Sequence, residues 1–159
     1  MLSLNKKNIV SDNIQLNIGE STFFNLDLRG NLIVIEGFSG QGKTYFFNGL
    51  RNAKYSEFPT NVKGVDLTKV EFINIFTKGL VDLITLLKSK EGMLFIIDNA
   101  DFILTKEIAE YIGWDNKNQY IVFSRANWPF GLSPNYYAKM IDNKGIRTLE
   151  YEYQNEGWM

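Results

Sequence analysis

Three short apolar runs stand out along the chain: Leu32-Ile33-Val34-Ile35, Met93-Leu94-Phe95-Ile96-Ile97 and Tyr120-Ile121-Val122-Phe123. Unbroken runs of this length predict strands buried on both faces, as in a parallel sheet. Between them the period changes. Over residues 43–53, Phe46, Phe47 and Leu50 fall on one helical face. Over residues 77–88, Leu80, Val81, Ile84 and Leu87 form a second helical stripe. Residues 70–76 read as a strand. Thr105 is suited to cap a short helix reaching about residue 112, with Glu107 and Glu110 near its positive end. Residues 14–28 alternate loosely around the turn chemistry of Gly19-Glu20-Ser21, which predicts a hairpin or two short strands. Residues 137–141 and 148–153 flank Asp142-Asn143-Lys144-Gly145, the pattern of a C-terminal β-hairpin. Residues 56–67 read as loop.

Strands that alternate with helices imply an α/β domain with a mainly parallel sheet. The 159 residues fit one domain, 1–159, because no repeat or linker divides them and Pro59, Pro129 and Pro134 all sit in loop-like surroundings.

Composition narrows the chemistry. The chain has no cysteine and no histidine. Disulfides, thiolate chemistry, zinc fingers, His-metal sites and triads that need His or Cys are all excluded. Lys, Arg, Asp, Glu, Ser, Thr and the backbone are left to do the work. The net charge of −1 does not indicate a nucleic-acid partner. No apolar run is long enough to span a bilayer, and the first eight residues lack the pattern of a secretory signal, so a cytoplasmic protein is expected.

Gly37-Phe38-Ser39-Gly40-Gln41-Gly42-Lys43-Thr44 satisfies the phosphate-binding pattern G-x-x-x-x-G-K-[ST]. Glycines let the backbone curl into a ring of N–H donors. The helix expected from Lys43 turns its positive end to an anion. Lys43 is a point charge for the β- and γ-phosphates, and Thr44 offers a hydroxyl to Mg²⁺. Gly37, Phe38, Ser39, Gly40, Gln41, Gly42, Lys43, Thr44 and the following Tyr45 are the candidate nucleotide-binding residues. The run Phe95-Ile96-Ile97 ends in Asp98, a carboxylate at a strand's C-terminal edge where open α/β sheets bind ligands, and a candidate Mg²⁺ ligand beside Thr44.

Together these segments resemble the P-loop nucleoside triphosphatases, with Phe95 to Asp98 similar to Walker B. The order of strands and helices looks like the additional-strand division, which includes AAA+, ABC and RecA-like ATPases. The resemblance implies a three-layer sandwich on a mainly parallel sheet, with ATP and Mg²⁺ as ligands. It also implies that Ser124 matches a polar sensor, although Ser124 and Arg125 read equally well as a solvated strand end. The specific part is short: the loop at 37–44 and residues 96–98.

The chain departs from that pattern where the water-polarising acid should stand. Asn99 follows Asp98, and Asn cannot accept a proton. Asp101 is the nearest carboxylate. The candidate catalytic set is therefore Lys43, Asn99, Asp101, Ser124 and Arg125. GTP is disfavoured, because Asn116-Lys117-Asn118-Gln119 lacks the Asp of N-K-x-D. The expected function is an ATP- and Mg²⁺-binding ATPase that hydrolyses slowly or serves as a switch, acting through a protein partner or a homo-oligomer. A small-molecule kinase and a non-hydrolysing interaction module are the alternatives. Trp114, Trp128, Phe130, Tyr136 and Tyr137 read as packing under loops or as a partner surface. Residues 150–159 read as a strand edge or a partner contact.

Overall fold

A computed structural model describes residues 9–19, 22–37, 42–56, 61–75, 82–125 and 136–154, with the backbone alone for 136, 153 and 154. Its nine strands are β1 Asn13–Ile18, β2 Thr22–Asp27, β3 Leu32–Glu36, β4 Val62–Lys63, β5 Val70–Ile73, β6 Leu94–Ile97, β7 Gln119–Ser124, β8 Tyr136–Asn143 and β9 Ile146–Gln154. The α-helices are α1 Lys43–Lys54, α2 Leu83–Lys88, α3 Ala100–Ile103 and α4 Lys106–Trp114. All nine strands belong to one sheet, in the order β4-β1-β2-β9-β8-β3-β7-β6-β5.

This architecture corrects the sequence reading. The expected family fold is a helix-rich three-layer sandwich on a mainly parallel sheet. The chain instead forms a mixed, curled sheet with four short α-helices among the described residues. The strands from β5 to β8 run parallel. The pairs β1–β2, β1–β4 and β8–β9 are antiparallel, and β2 meets β9 in a short parallel ladder. Family membership inferred from the motifs is therefore overturned by the fold. The physical reason lies in the two hairpins. Both pair into the same sheet as the parallel strands and add antiparallel ladders to it.

The curl follows from side-chain alternation. In β1, Ile14 and Leu16 point inward while Asn13, Gln15 and Asn17 point out; in β2, Phe24 and Leu26 point inward. These residues join Phe46, Phe47 and Leu50 of α1 in one cluster that continues through Ile33, Ile35, Ile96, Ile121, Phe123 and Met140. The sheet thus wraps α1. Gly49 allows the close approach: a Cβ there would overlap the Ile18 side chain. On the opposite face, Val34, Phe95, Ile97 and Val122 pack with Leu87 of α2, Ile103 of α3 and Ile112 of α4. β3, β6 and β7 are covered on both sides, which accounts for their unbroken apolar runs.

Several local expectations meet their elements. α1 runs to Lys54, one residue beyond the expected end. Thr105 Oγ1 caps α4 by accepting from Ile108 N at 3.2 Å. β5 ends at Ile73, short of residue 76. Residues 77–81 of the second expected helix lie outside the described residues, and α2 occupies the rest. α3 and β4 were not anticipated. No helix among the described residues is long and apolar enough to cross a membrane.

Candidate functional site

The phosphate-loop residues enter from β3 and leave into α1. Gly37 N donates to Ser124 O at 3.1 Å, which ties the loop's first glycine to the end of the neighbouring strand β7. Phe38, Ser39, Gly40 and Gln41 lie outside the described residues. Gly42 is the N-cap of α1, with φ 102, a left-handed conformation that favours glycine. Lys43 follows, only 6% exposed, and its Nζ donates to Gly37 O across the loop. Burial lowers the Lys43 pKa; Asp98 and then Asp101 pull it back up, and Arg125 lowers it further.

Asp98 is carried by β6, two strands from β3, and its N–H donates to Ile73 O of β5 at 2.9 Å. Thr44 Oγ1 donates to Asp98 Oδ2 at 3.1 Å, and Asn99 N donates to Asp98 Oδ1 at 3.1 Å. The two motifs, 54 residues apart, therefore meet side chain to side chain. Asp98 is 4% exposed. Burial raises its pKa above the usual carboxylate value, and the bonds from Thr44 and Asn99 and the charge of Lys43 oppose that rise.

Lys43, Thr44, Asp98, Asn99, Ser124 and Arg125 line a small cleft, with Phe123 behind them. Asn99 has φ 54 and ψ 45, a conformation Asn tolerates better than most residues. Asp101, in the first turn of α3, accepts weakly from Arg125 N at 3.4 Å. The Arg125 guanidinium rests over the Phe102 ring, 5.4 Å from its centroid. Thus the structure brings together every described residue of the candidate catalytic and metal sets. Asp101 stands beside the cleft and does not line it.

No group of three or more Asp and Glu among the described residues forms a metal cage. A hydroxyl and one carboxylate side by side instead suit Mg²⁺, which keeps several waters and shares its coordination with phosphate oxygens. Thr44 and Asp98 are the residues that would hold it.

Two neighbouring residues escaped the sequence reading. Glu36 ends β3 directly before the loop, paired in register with Ser124 and Lys139. Burial and then Glu152 raise its pKa, against the pull of Lys139. Arg147, at the start of β9, lies against Gly42: a Cβ there would overlap its Nη1. Strand pairing between distant segments places both, and no spacing along the chain signals it.

The rejected guanine motif has a structural role. Asn118 and Gln119 are fully buried at the opposite end of β7 from the cleft. Asn118 Oδ1 accepts from Met93 N at 3.0 Å, and its amide donates to Lys90 O at 3.0 Å. Trp114 is 85% exposed and not packed under a loop, whereas Tyr137 packs against the helix-covered face. Trp128 and Phe130 lie outside the described residues. Residues 150–154 lie in β9 and pair with β8, while the ladder to β2 involves Ile146 and Arg147; residues 155–159 lie outside the described residues. The Tyr151 hydroxyl donates to Asp27 O and accepts from Arg29 N at 3.2 Å.

No protein-family model matches the chain, and no curated protein matches it in sequence.

Proposed function

We propose that the protein binds ATP with Mg²⁺ at the cleft between β3 and β6, and turns it over slowly or uses it as a switch. The observation that carries this reading is the contact of Thr44 with Asp98 beside the buried Lys43. Loop backbone N–H groups and the N-terminus of α1 would take the phosphate oxygens. Lys43 would supply positive charge to the β- and γ-phosphates, and Thr44 and Asp98 would orient the metal. When bound, Mg²⁺ neutralises phosphate charge.

Slow turnover follows from the cleft's composition. Asn99 lines it and can orient water, but takes no proton. The nearest further carboxylate, Asp101, is oriented toward the Arg125 backbone. ATP is favoured over GTP because the 116–119 segment is built into the far end of β7. Output through a protein partner is supported by Phe102, 57% exposed beside Arg125 at the rim, and by the exposed Trp114. A cytoplasmic location belongs to the same reading.

Calorimetric titration with MgATP, MgGTP and each nucleotide in EDTA tests the proposal. We expect saturable MgATP binding in the wild type, weakened without metal and lost in Lys43→Met. Equal heats for wild type and Lys43→Met would end the reading.

A further inference from the structure

The Arg147 side chain is half-buried, 5.8 Å from the Phe24 ring centroid, with its Cδ at 3.3 Å and Met140 Sδ at 3.1 Å from where a Gly42 Cβ would stand. The ion pairs among the described residues are Lys90–Glu71 and Lys139–Glu152, so this guanidinium joins none of them. It stands beside Gly42 at the positive end of α1, and the first turn of α1 holds no acid. Cations are unfavourable at a helix N-terminus. Asp142 is its register partner on β8 but forms no ion pair with it, so an anion at the helix end would complete its charge pairing.

The side of approach is informative. β3 carries the loop, flanked by β8 and then β9 in one direction and by β7 and then β6 in the other. Asp98, Ser124 and Arg125 come from the β6–β7 side. Arg147 and Met140 come from the β8–β9 side. With a terminal phosphate and metal at Thr44 and Asp98, the β8–β9 flank is the side left for the remainder of a nucleotide.

We propose that Arg147 holds the α-phosphate of the bound nucleotide, as a nucleotide-binding residue separate from the terminal-phosphate group of Lys43, Thr44, Asp98 and Arg125. This rests on the reading of the loop as a nucleotide site. A guanidinium can grip two non-bridging oxygens at once, which an ammonium cannot.

The test is titration of wild type, Arg147→Ala, Arg147→Lys and Arg125→Ala with ATP, ADP and AMP, after each variant is shown to melt cooperatively. Arg147→Ala should weaken ATP and ADP by the same factor, about 10- to 100-fold, the worth of a charged hydrogen bond. Arg147→Lys should recover part of that loss, and measurable AMP binding should disappear with Arg147→Ala. Arg125→Ala should weaken ATP more than ADP. If Arg147→Ala binds ATP and ADP like the wild type, or weakens ATP alone, Arg147 does not hold the α-phosphate, and the loop reading stands. If Arg147→Ala fails to fold, Arg147→Lys decides: affinity equal to the wild type for both nucleotides overturns the assignment, and an equal loss for both supports it. If wild type and Lys43→Met bind none of the nucleotides, the loop reading fails and this inference goes with it.

Discussion

Gln119 holds Ser11 from both sides: its Oε1 accepts from Ser11 N at 2.9 Å and its Nε2 donates to Ser11 O at 2.8 Å, across 108 residues of sequence. The same Oε1 accepts from Val10 N at 2.9 Å. One buried amide thus satisfies three backbone groups of the segment leading into β1. Gln119→Leu keeps roughly the bulk of the side chain but leaves those groups unpaired. We expect a loss of about 3 kcal/mol, since each abandoned buried polar group costs about 1–3 kcal/mol and some will rehydrate. Urea denaturation measures it; a loss below about 1 kcal/mol would make the contact incidental.

Lys43 and Asp98 are held in the cleft at some cost to the fold. Burial works against the charge of each. Lys43→Met retains the apolar stem without the ammonium. The unliganded variant should melt at the wild-type temperature or above it, while losing nucleotide binding. A clearly lower melting temperature would assign Lys43 to the core.

The raised pKa of Asp98 gives a pH signature. The folded protein keeps this proton to higher pH than the unfolded chain does. Its stabilising contribution is therefore complete below the unfolded value of 3.8 and is lost as pH rises through the raised folded value. Asp98→Asn removes that loss, so its stability advantage over wild type should grow across this window and then level off. Mg²⁺-dependent nucleotide binding should behave oppositely, weakening as pH falls through the same window. Melting curves and titrations at a series of pH values check both, and parallel wild-type and Asp98→Asn profiles would contradict them.

Asn99→Glu places a carboxylate at a residue that lines the cleft, but in a left-handed conformation. The longer side chain should cost about 1–2 kcal/mol of stability there. We expect faster ATP turnover from a less stable protein, whereas Asn99→Gly should keep its stability and gain no turnover. Steady-state phosphate release with paired urea curves separates the two effects. A Glu variant with neither strain nor gain would remove Asn99 from the rate argument.

Gly42→Ala meets two obstacles, the positive φ and the guanidinium of Arg147. Arg147 can swing away; the backbone strain stays and should cost about 1–2 kcal/mol. If the α-phosphate assignment holds, the displaced arginine also weakens ADP. Unchanged stability and ADP affinity would show the loop to be more plastic than its geometry implies.

Much of the site was legible because it is local. Gly42, Lys43 and Thr44 sit on a strand-to-helix junction that the apolar pattern marks on both sides, and Asp98 closes a run whose burial the sequence states outright. Thr105 announces α4 by its cap. The parts that stayed hidden depend on pairing between remote segments. The alternation of β1, β2, β8 and β9 predicts hairpins but does not say that Phe23 and Phe24 will lie beside Ile146 and Arg147. That pairing joins the β4-β1-β2 group to the rest of the sheet, and it delivers Arg147 to the loop. Glu36 was invisible for the same reason. Its altered proton affinity comes from burial and from Glu152, on a different strand. Asn118 and Gln119 looked like a failed recognition motif until their burial showed them closing the sheet's far end.

β9 lies between β2 and β8, and it supplies the ladder that connects the β4-β1-β2 group to the rest of the sheet. Synthesis delivers these strands in the reverse order of need. A ribosome releases β1 and β2 early, with an unpaired edge of the kind that recruits foreign strands. They must wait until residues 146–154 have cleared the exit tunnel. This half of the molecule therefore closes only once β9 has emerged, and a nascent chain stalled before β9 is the species most exposed to chaperones and to misassembly.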